Sequence, residues 1–104
     1  MTRTQTFLVT ESIADSLAGG ILLQEDLSLL SLNSVVNWKK GVDYLNLNAK
    51  KALLALDGDE AGIRTTQAMT EFLRLPVEDV SMIYRSSGAK DFYRLLQKNR
   101  GGEL

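Results

Sequence analysis

The stretch Ala52-Leu53-Leu54-Ala55-Leu56 is apolar without a break and stops abruptly at Asp57-Gly58-Asp59-Glu60. A strand with one wet face alternates apolar and polar residues, whereas an unbroken apolar run suits a strand buried on both faces at the centre of a parallel sheet. Parallel neighbours need crossover connections, normally helices, so this one run already points to an α/β fold. It also delivers a dense group of carboxylates to the edge of that sheet.

The rest of the chain supplies the expected crossovers. Thr6 to Thr10 reads as a first strand, followed by a helix whose apolar residues Ile13, Ala14, Leu17 and Ala18 recur at helical spacing and which Gly19-Gly20 would stop. After a connector, Ile21 to Ser28, with no clear period, Leu29 to Val36 reads as a second strand. Asn37 to Asn46 carries Trp38, Val42 and Leu45 on one helical face, with Gly41 weakening it. The helix after Asp59 would bury Ala61, Thr65, Ala68, Met69, Phe72 and Leu73 and end at Pro76. Val80 to Tyr84 reads as a fourth strand, Asp91 to Lys98 as a last amphipathic helix, and Asn99 to Leu104 as a frayed tail. Strand and helix alternate four times. The expectation is one domain over residues 1–104, a compact Rossmann-like α/β fold with a mostly parallel four-stranded sheet and helices on both faces.

Composition removes several chemistries. With no cysteine and no histidine, thiolate zinc sites, disulfides, thiol nucleophiles and catalytic imidazoles are excluded, leaving carboxylates, lysines, tyrosines or metal-bound water for acid/base work. No apolar run approaches the roughly 20 residues that cross a bilayer, and Thr2 to Gln5 lacks the apolar core of a signal peptide, so no membrane partner and a cytoplasmic location are expected. The net charge of −1 makes the chain no general attractor of nucleic acid, and such a partner would be held by a local patch or by other domains. Basic residues such as Lys39, Lys50, Arg64 and Arg85 are scattered along the chain, the pattern of a solvated surface. Trp38 and Tyr44 are candidates for base stacking, with core packing the stronger reading for Trp38.

In open parallel sheets ligands sit beyond the carboxyl ends of the strands. Glu11 follows the first strand, Asp57 and Asp59 the third, and Lys90 and Asp91 come after a Ser86-Ser87-Gly88 turn. Carboxylates gathered at one edge repel unless a cation or shared protons intervene, and hard divalent ions take oxygen ligands of this kind. Helix capping is the competing reading, because acids are favoured at helix starts. It weighs most for Glu11 and Asp91 taken singly, and least for Asp57, which directly ends an apolar strand. Asp15, one turn after Glu11, is either a cap of the first helix or a support for the acids in front of it.

These residues carry a resemblance. Phe7 to Leu17, an apolar strand followed by Glu11 and by Asp15 four residues on, resembles the first motif of the TOPRIM domain, and Leu54-Ala55-Leu56-Asp57-Gly58-Asp59-Glu60-Ala61-Gly62 resembles its Asp-x-Asp motif as primase-like members carry it. Gly88-Ala89-Lys90-Asp91-Phe92 is similar to a Gly-Lys-Asp segment of those members with Ala89 inserted. Ser12 and Ser34 stand where the family often has glycine. The resemblance implies Mg²⁺, with Mn²⁺ as a substitute, held by Asp57 and Asp59, and Glu11 as general acid/base or further ligand. It makes Asp91 an auxiliary acid and Lys90 a candidate phosphate contact, against the alternative of a solvated lysine at a helix start. The implied function is nucleotidyl transfer by a DNA primase-like protein. A metal-dependent nuclease and a non-catalytic nucleic-acid-binding module are the alternatives. Partners would be nucleic acid, DNA ahead of RNA, and further domains or subunits of a replication or mobile-element protein.

Overall fold

The computed structural model describes residues 5–23 and 26–101. Its elements are β1 (Gln5–Thr10), α1 (Ile13–Leu23), β2 (Ser28–Ser31), a 3-10 turn (Val35–Asn37), α2 (Trp38–Asn48), β3 (Ala49–Ala55), α3 (Glu60–Phe72), β4 (Val77–Asp79), α4 (Met82–Arg85) and α5 (Phe92–Gly101). The four strands form one parallel sheet in the order β2-β1-β3-β4.

The apolar run is buried as its pattern requires: Ala52 to Leu56 are each no more than 5% exposed. Alternate residues face opposite cores. Phe7 and Val9 of β1 with Ala52 and Leu54 of β3 pack against Val42, Leu45 and Met69 from α2 and α3. Leu8, Leu53 and Ala55 pack on the other face against Ala18, Tyr84, Phe92 and Leu95 from α1, α4 and α5. The sheet is thus covered by helices on both faces.

Several expectations need correction. Gly19-Gly20 does not end α1, which runs to Leu23. A Cβ on Gly19 would lie 2.5 Å from Leu8 Cδ2 and 2.9 Å from Phe92 Cδ2, so this glycine lets the helix lie close on β1 and α5. The same close packing inverts the expected face of α1. Asp15, Ser16, Ala18 and Gly19 are buried, while Ile13 and Leu17 are 63% and 57% exposed. Small side chains allow the approach, and Ser16 is satisfied by a 2.6 Å hydrogen bond with Thr10 Oγ1. In α3, Ala61 and Phe72 are likewise exposed, although Phe72 rests against Trp38 with ring centroids 5.7 Å apart.

The second strand is shorter than its apolar run. β2 stops at Ser31 because Asn33 takes a left-handed conformation (φ 65°), and Ser34 then caps the 3-10 turn by accepting from the Val36 N–H. The fourth strand is Val77–Asp79, earlier than expected, and Val80–Tyr84 turns instead into α4. Asp79 Oδ1 accepts from the Ser81 N–H at 2.9 Å and bends the chain out of the ladder. Val80 and Tyr84 are then buried one helical turn apart, with Met82 and Ile83 exposed. Asn99 to Gly101 continue α5, whereas Gly102 to Leu104 of the expected frayed tail lie outside the described residues.

Tyr84 ties α4 to the sheet. It is fully buried, meets Phe92 edge to face at 4.8 Å between centroids, and donates its hydroxyl to the Leu56 carbonyl at the end of β3. Burial pushes its ionisation well above the ordinary tyrosine range, so it remains a donor. Tyr84→Phe would leave that carbonyl without a buried partner and is expected to lower unfolding free energy by about 1–3 kcal/mol in urea denaturation. An unchanged midpoint would mean that the hydroxyl does not hold the strand end.

Candidate metal centre

The chain direction divides between β1 and β3: from β1 the next strand lies on one side, and β3 on the other. At such a switch point the connections leave in opposite directions and open a crevice at the carboxyl edge. Glu11 and Asp57 stand there. Glu11 Oε2 accepts from the Asp57 backbone N–H at 2.7 Å, joining the ends of the two central strands.

Asp57 is held differently from the other acids. Its side chain is 16% exposed, one oxygen lies 3.5 Å from Lys90 Nζ, and the other, Oδ1, is buried with no hydrogen-bond partner. Its backbone is fixed by close approach of α3: a Cβ on Gly62 would lie 2.0 Å from the Asp57 carbonyl oxygen, a position no side chain can share. Asp59 is the N-cap of α3, with Oδ1 accepting from the Gly62 N–H at 2.8 Å and Oδ2 3.5 Å from Lys90 Nζ. The Gly58 N–H donates to the Lys90 carbonyl at 3.0 Å, which binds the Asp-Gly-Asp turn to the segment before α5.

Asp15 lies in the first turn of α1, and Asp91 immediately precedes α5. Asp15 Oδ2 accepts from Ser12 Oγ at 2.8 Å and Oδ1 from the Tyr93 N–H at 3.1 Å. Ser12 in turn accepts from the Asp15 N–H at 3.2 Å, so the serine that departs from the family's glycine orients this acid. Asp91 Oδ1 accepts from the Arg94 N–H and Oδ2 from the Arg94 guanidinium, both at 2.9 Å. Asp15 and Asp91 are 4% and 5% exposed. Asp15, Asp57 and Asp91 each place a carboxylate oxygen within 4.8 Å of the others'.

All six expected residues therefore meet at one edge, in an arrangement the sequence did not spell out. Glu11 is bonded to the Asp57 backbone, Lys90 spans Asp57 and Asp59, and the tight carboxylate group is Asp57 with Asp15 and Asp91. Capping and clustering are not alternatives here, since Asp59 and Asp91 bond to the first turns of their helices and still line the edge. Sequence reasoning missed Tyr84 and Ser12 as positioning groups; the fourth-strand reading hid Tyr84, and Ser12 reveals itself only through its two bonds to Asp15. Trp38 is half-buried, with its ring beside Phe72 and under the Lys39 ammonium.

Electrostatics mark the same place. Burial, then the charges of Asp57 and Asp59, raise the pKa of Glu11 against the lowering effect of the Asp57 N–H. Burial raises that of Asp57, with Asp91 adding repulsion and Lys90 opposing it. Burial likewise raises Asp15, with repulsion from Asp91 and Asp57. Lys90 is held in its charged form by Asp57 and Asp59. A buried carboxylate oxygen without a donor, beside two further carboxylates, fits a hard divalent cation, whose oxygen ligands such a group supplies.

An α/β domain with an acidic centre at the switch point of a parallel sheet is the class these features define. The profile of the Toprim-like family matches residues 8–96, and the chain belongs to that family. Solved structures share the fold. The primase fragment of the bacteriophage T7 primase-helicase protein superposes with a TM-score of 0.68 at 20% identity, over 91% of this chain and 40% of that one. A protein from Aquifex aeolicus gives 0.65 at 19% identity, over 86% and 84% of the two chains. A small TOPRIM domain protein from Bacillus stearothermophilus gives 0.53 at 19% identity, over 89% and 79%. The chain thus spans well under half of the T7 fragment. No curated protein matches the sequence.

The raised acids affect stability. Because folding raises the pKa of Glu11, Asp15 and Asp57, the folded chain binds protons more tightly than the unfolded one between the ordinary carboxylate range and the raised values. Stability from these groups therefore falls as pH rises through that window. Without divalent ions, thermal denaturation is expected to give a higher Tm near pH ~5 than near pH ~7, and Asp57→Asn should raise the Tm at neutral pH and shrink the difference; each kcal/mol recovered corresponds to roughly 4–8 °C. A variant that melts lower than the parent at neutral pH would show that the carboxylates do not repel one another.

Proposed function

We propose that this chain is a Mg²⁺-dependent phosphoryl-transfer module acting on nucleic acid, most closely the TOPRIM part of a DNA primase-like protein. The observation that carries the reading is Asp57, a nearly buried carboxylate with an unpartnered oxygen, at the switch point and within 4.8 Å of two other carboxylates. Asp57 and Asp59 would hold the ion, with Glu11 as a further ligand or acid/base group and Asp15 and Asp91 completing the acidic ring. Mn²⁺ would substitute. When bound, the ion would supply charge neutralisation on the phosphate and orientation of the attacking and leaving oxygens.

The chain's own groups do the rest. Glu11, whose burial raises its pKa toward the working range of a general acid/base, would move a proton at Oε1 while Oε2 stays on the Asp57 N–H. Lys90, poised between Asp57 and Asp59, would meet phosphate charge at the edge of the centre. The likeness to the T7 fragment, a part of a primase-helicase protein, supports a primase-like assignment within a longer assembly; on that reading the partners would be DNA and further domains or subunits of a replication or mobile-element protein, and the place of work the cytoplasm. A metal-dependent nuclease would use the same acids.

Calorimetric titration of Mn²⁺, with Mg²⁺ as competitor, tests the centre. Saturable binding is expected in the parent and should weaken by at least about tenfold in Asp57→Asn/Asp59→Asn, the scale of damage that altering a metal site produces. Equal binding by both proteins would remove the basis of the reading.

A further inference from the structure

Beside the acidic centre lies an open groove of about 430 Å³, lined by Gly58, Asp59, Arg85, Gly88, Ala89 and Lys90. Arg85 is the last residue of α4 and is only half-exposed. Its stem lies along the Gly58 backbone, with Cγ 3.4 Å and Nε 3.6 Å from where a Cβ on that glycine would be. One guanidinium N–H goes to Ser81 Oγ at 3.1 Å. Five donors are available on a guanidinium, so most of them remain to be satisfied.

Among the described residues, the one other partly buried cation, Lys51, is paired with an acid. Lys51, Arg64, Arg94 and Lys90 all pair with carboxylates, and the described cations lacking such a pair, Lys39, Lys40, Lys50, Arg74 and Lys98, are exposed to water. Among the described residues, Arg85 alone is half-buried and without a described carboxylate partner. Withdrawing a charge from water without an opposite charge is costly, which makes an anion in the groove the natural complement. Asp59 also lines the groove, but Lys90 stands 3.5 Å from its Oδ2 and offsets its charge.

The backbone keeps Arg85 in this place. The Ala89 N–H donates to the Tyr84 carbonyl at 3.0 Å and the Gly88 N–H to the Arg85 carbonyl at 3.0 Å, closing the end of α4. Gly88 has φ +84° with no atom within 4 Å of a Cβ position, so the turn leaves the groove open.

We propose that this groove is a phosphate subsite in which Arg85 forks two donors onto phosphate oxygens and Lys90 flanks them, holding the backbone of the strand whose reacting phosphate lies at the acidic centre. Planar guanidinium suits this task better than a lysine. The inference rests on the phosphoryl-transfer reading above and adds where the strand runs. The phosphate could also be the tail of a nucleoside triphosphate, so both sources enter the test.

Binding of a fluorescein-labelled single-stranded oligonucleotide, and separately of a labelled nucleoside triphosphate, would be followed by anisotropy in Mg²⁺ at several salt concentrations. Arg85→Gln keeps the stem and the bond to Ser81 but removes the charge; it should weaken binding by roughly five- to tenfold and lower the salt slope by about 0.7, the value of one single-strand phosphate contact. Arg85→Lys should recover part of the loss, and Arg74→Ala, a charge removed from exposed chain after α3, should bind as the parent does. Loss with the oligonucleotide assigns the groove to the strand, and loss with the triphosphate alone assigns it to the tail. Parent-like affinity and salt slope in Arg85→Gln, or no binding of either probe by the parent, overturns the inference. Mn²⁺ calorimetry on the same proteins separates the two failures: intact Mn²⁺ binding with no Arg85 effect sinks only the groove, whereas an Arg85 effect without Mn²⁺ binding sinks only the acidic centre.

Discussion

The hydrogen bond from the Asp57 N–H to Glu11 Oε2 joins the carboxyl ends of the two central strands at the point where the chain connections diverge. Much of the edge is organised around it. It aligns a side chain at the end of β1 with the backbone at the end of β3, so the register of the sheet and the placing of the acids are one problem. Tyr84 holds the preceding carbonyl, Gly58 bonds to the segment before α5, and Gly62 lets α3 begin almost on top of the Asp57 carbonyl. Each contact constrains the same few backbone atoms. A centre built this way is rigid before any ligand arrives, which is what positioning of reacting groups requires.

That rigidity is obtained against electrostatic resistance. Asp15, Asp57 and Asp91 are closer together than free carboxylates would remain, and burial adds to their repulsion. Asp15 and Asp91 are partly compensated by backbone donors and, for Asp91, by the Arg94 guanidinium. Asp57 has only Lys90 at 3.5 Å, and its second oxygen has nothing. Natural domains tolerate such local cost where function requires it, and the fully apolar cores on both faces of the sheet supply the margin.

The parts legible in the sequence were those where local pattern and global fold agree. The unbroken run Ala52 to Leu56 forecast a doubly covered parallel sheet, and the position of Asp57 at its end forecast the acidic edge. Pattern failed where tertiary packing overrode it. Gly19-Gly20 looked like a helix stop, but its lack of side chains serves helix–sheet contact. Ile13 and Leu17 suggested the buried face of α1, yet the small and polar residues are inside, since close approach and hydrogen bonds to the sheet edge decide the orientation. Val80 to Tyr84 is apolar enough for a strand, yet the chain turns there into a helix, with the Asp79 side chain accepting from the Ser81 N–H at the bend. The resemblance pointed to acids that the fold does bring to one edge, but not to the tight grouping of Asp57 with Asp15 and Asp91.

Where a divalent ion sits is best answered residue by residue in solution. Substoichiometric Mn²⁺ added to isotope-labelled protein broadens amide resonances near the bound ion by paramagnetic relaxation. A metal centre built on Asp57 requires selective loss of the signals of Glu11, Asp15, Asp57, Gly58, Asp59 and Asp91, reversed by excess Mg²⁺. Broadening centred elsewhere, such as the exposed acids Asp26 or Glu71, or spread evenly over the surface, would contradict it and leave the edge as a set of helix caps.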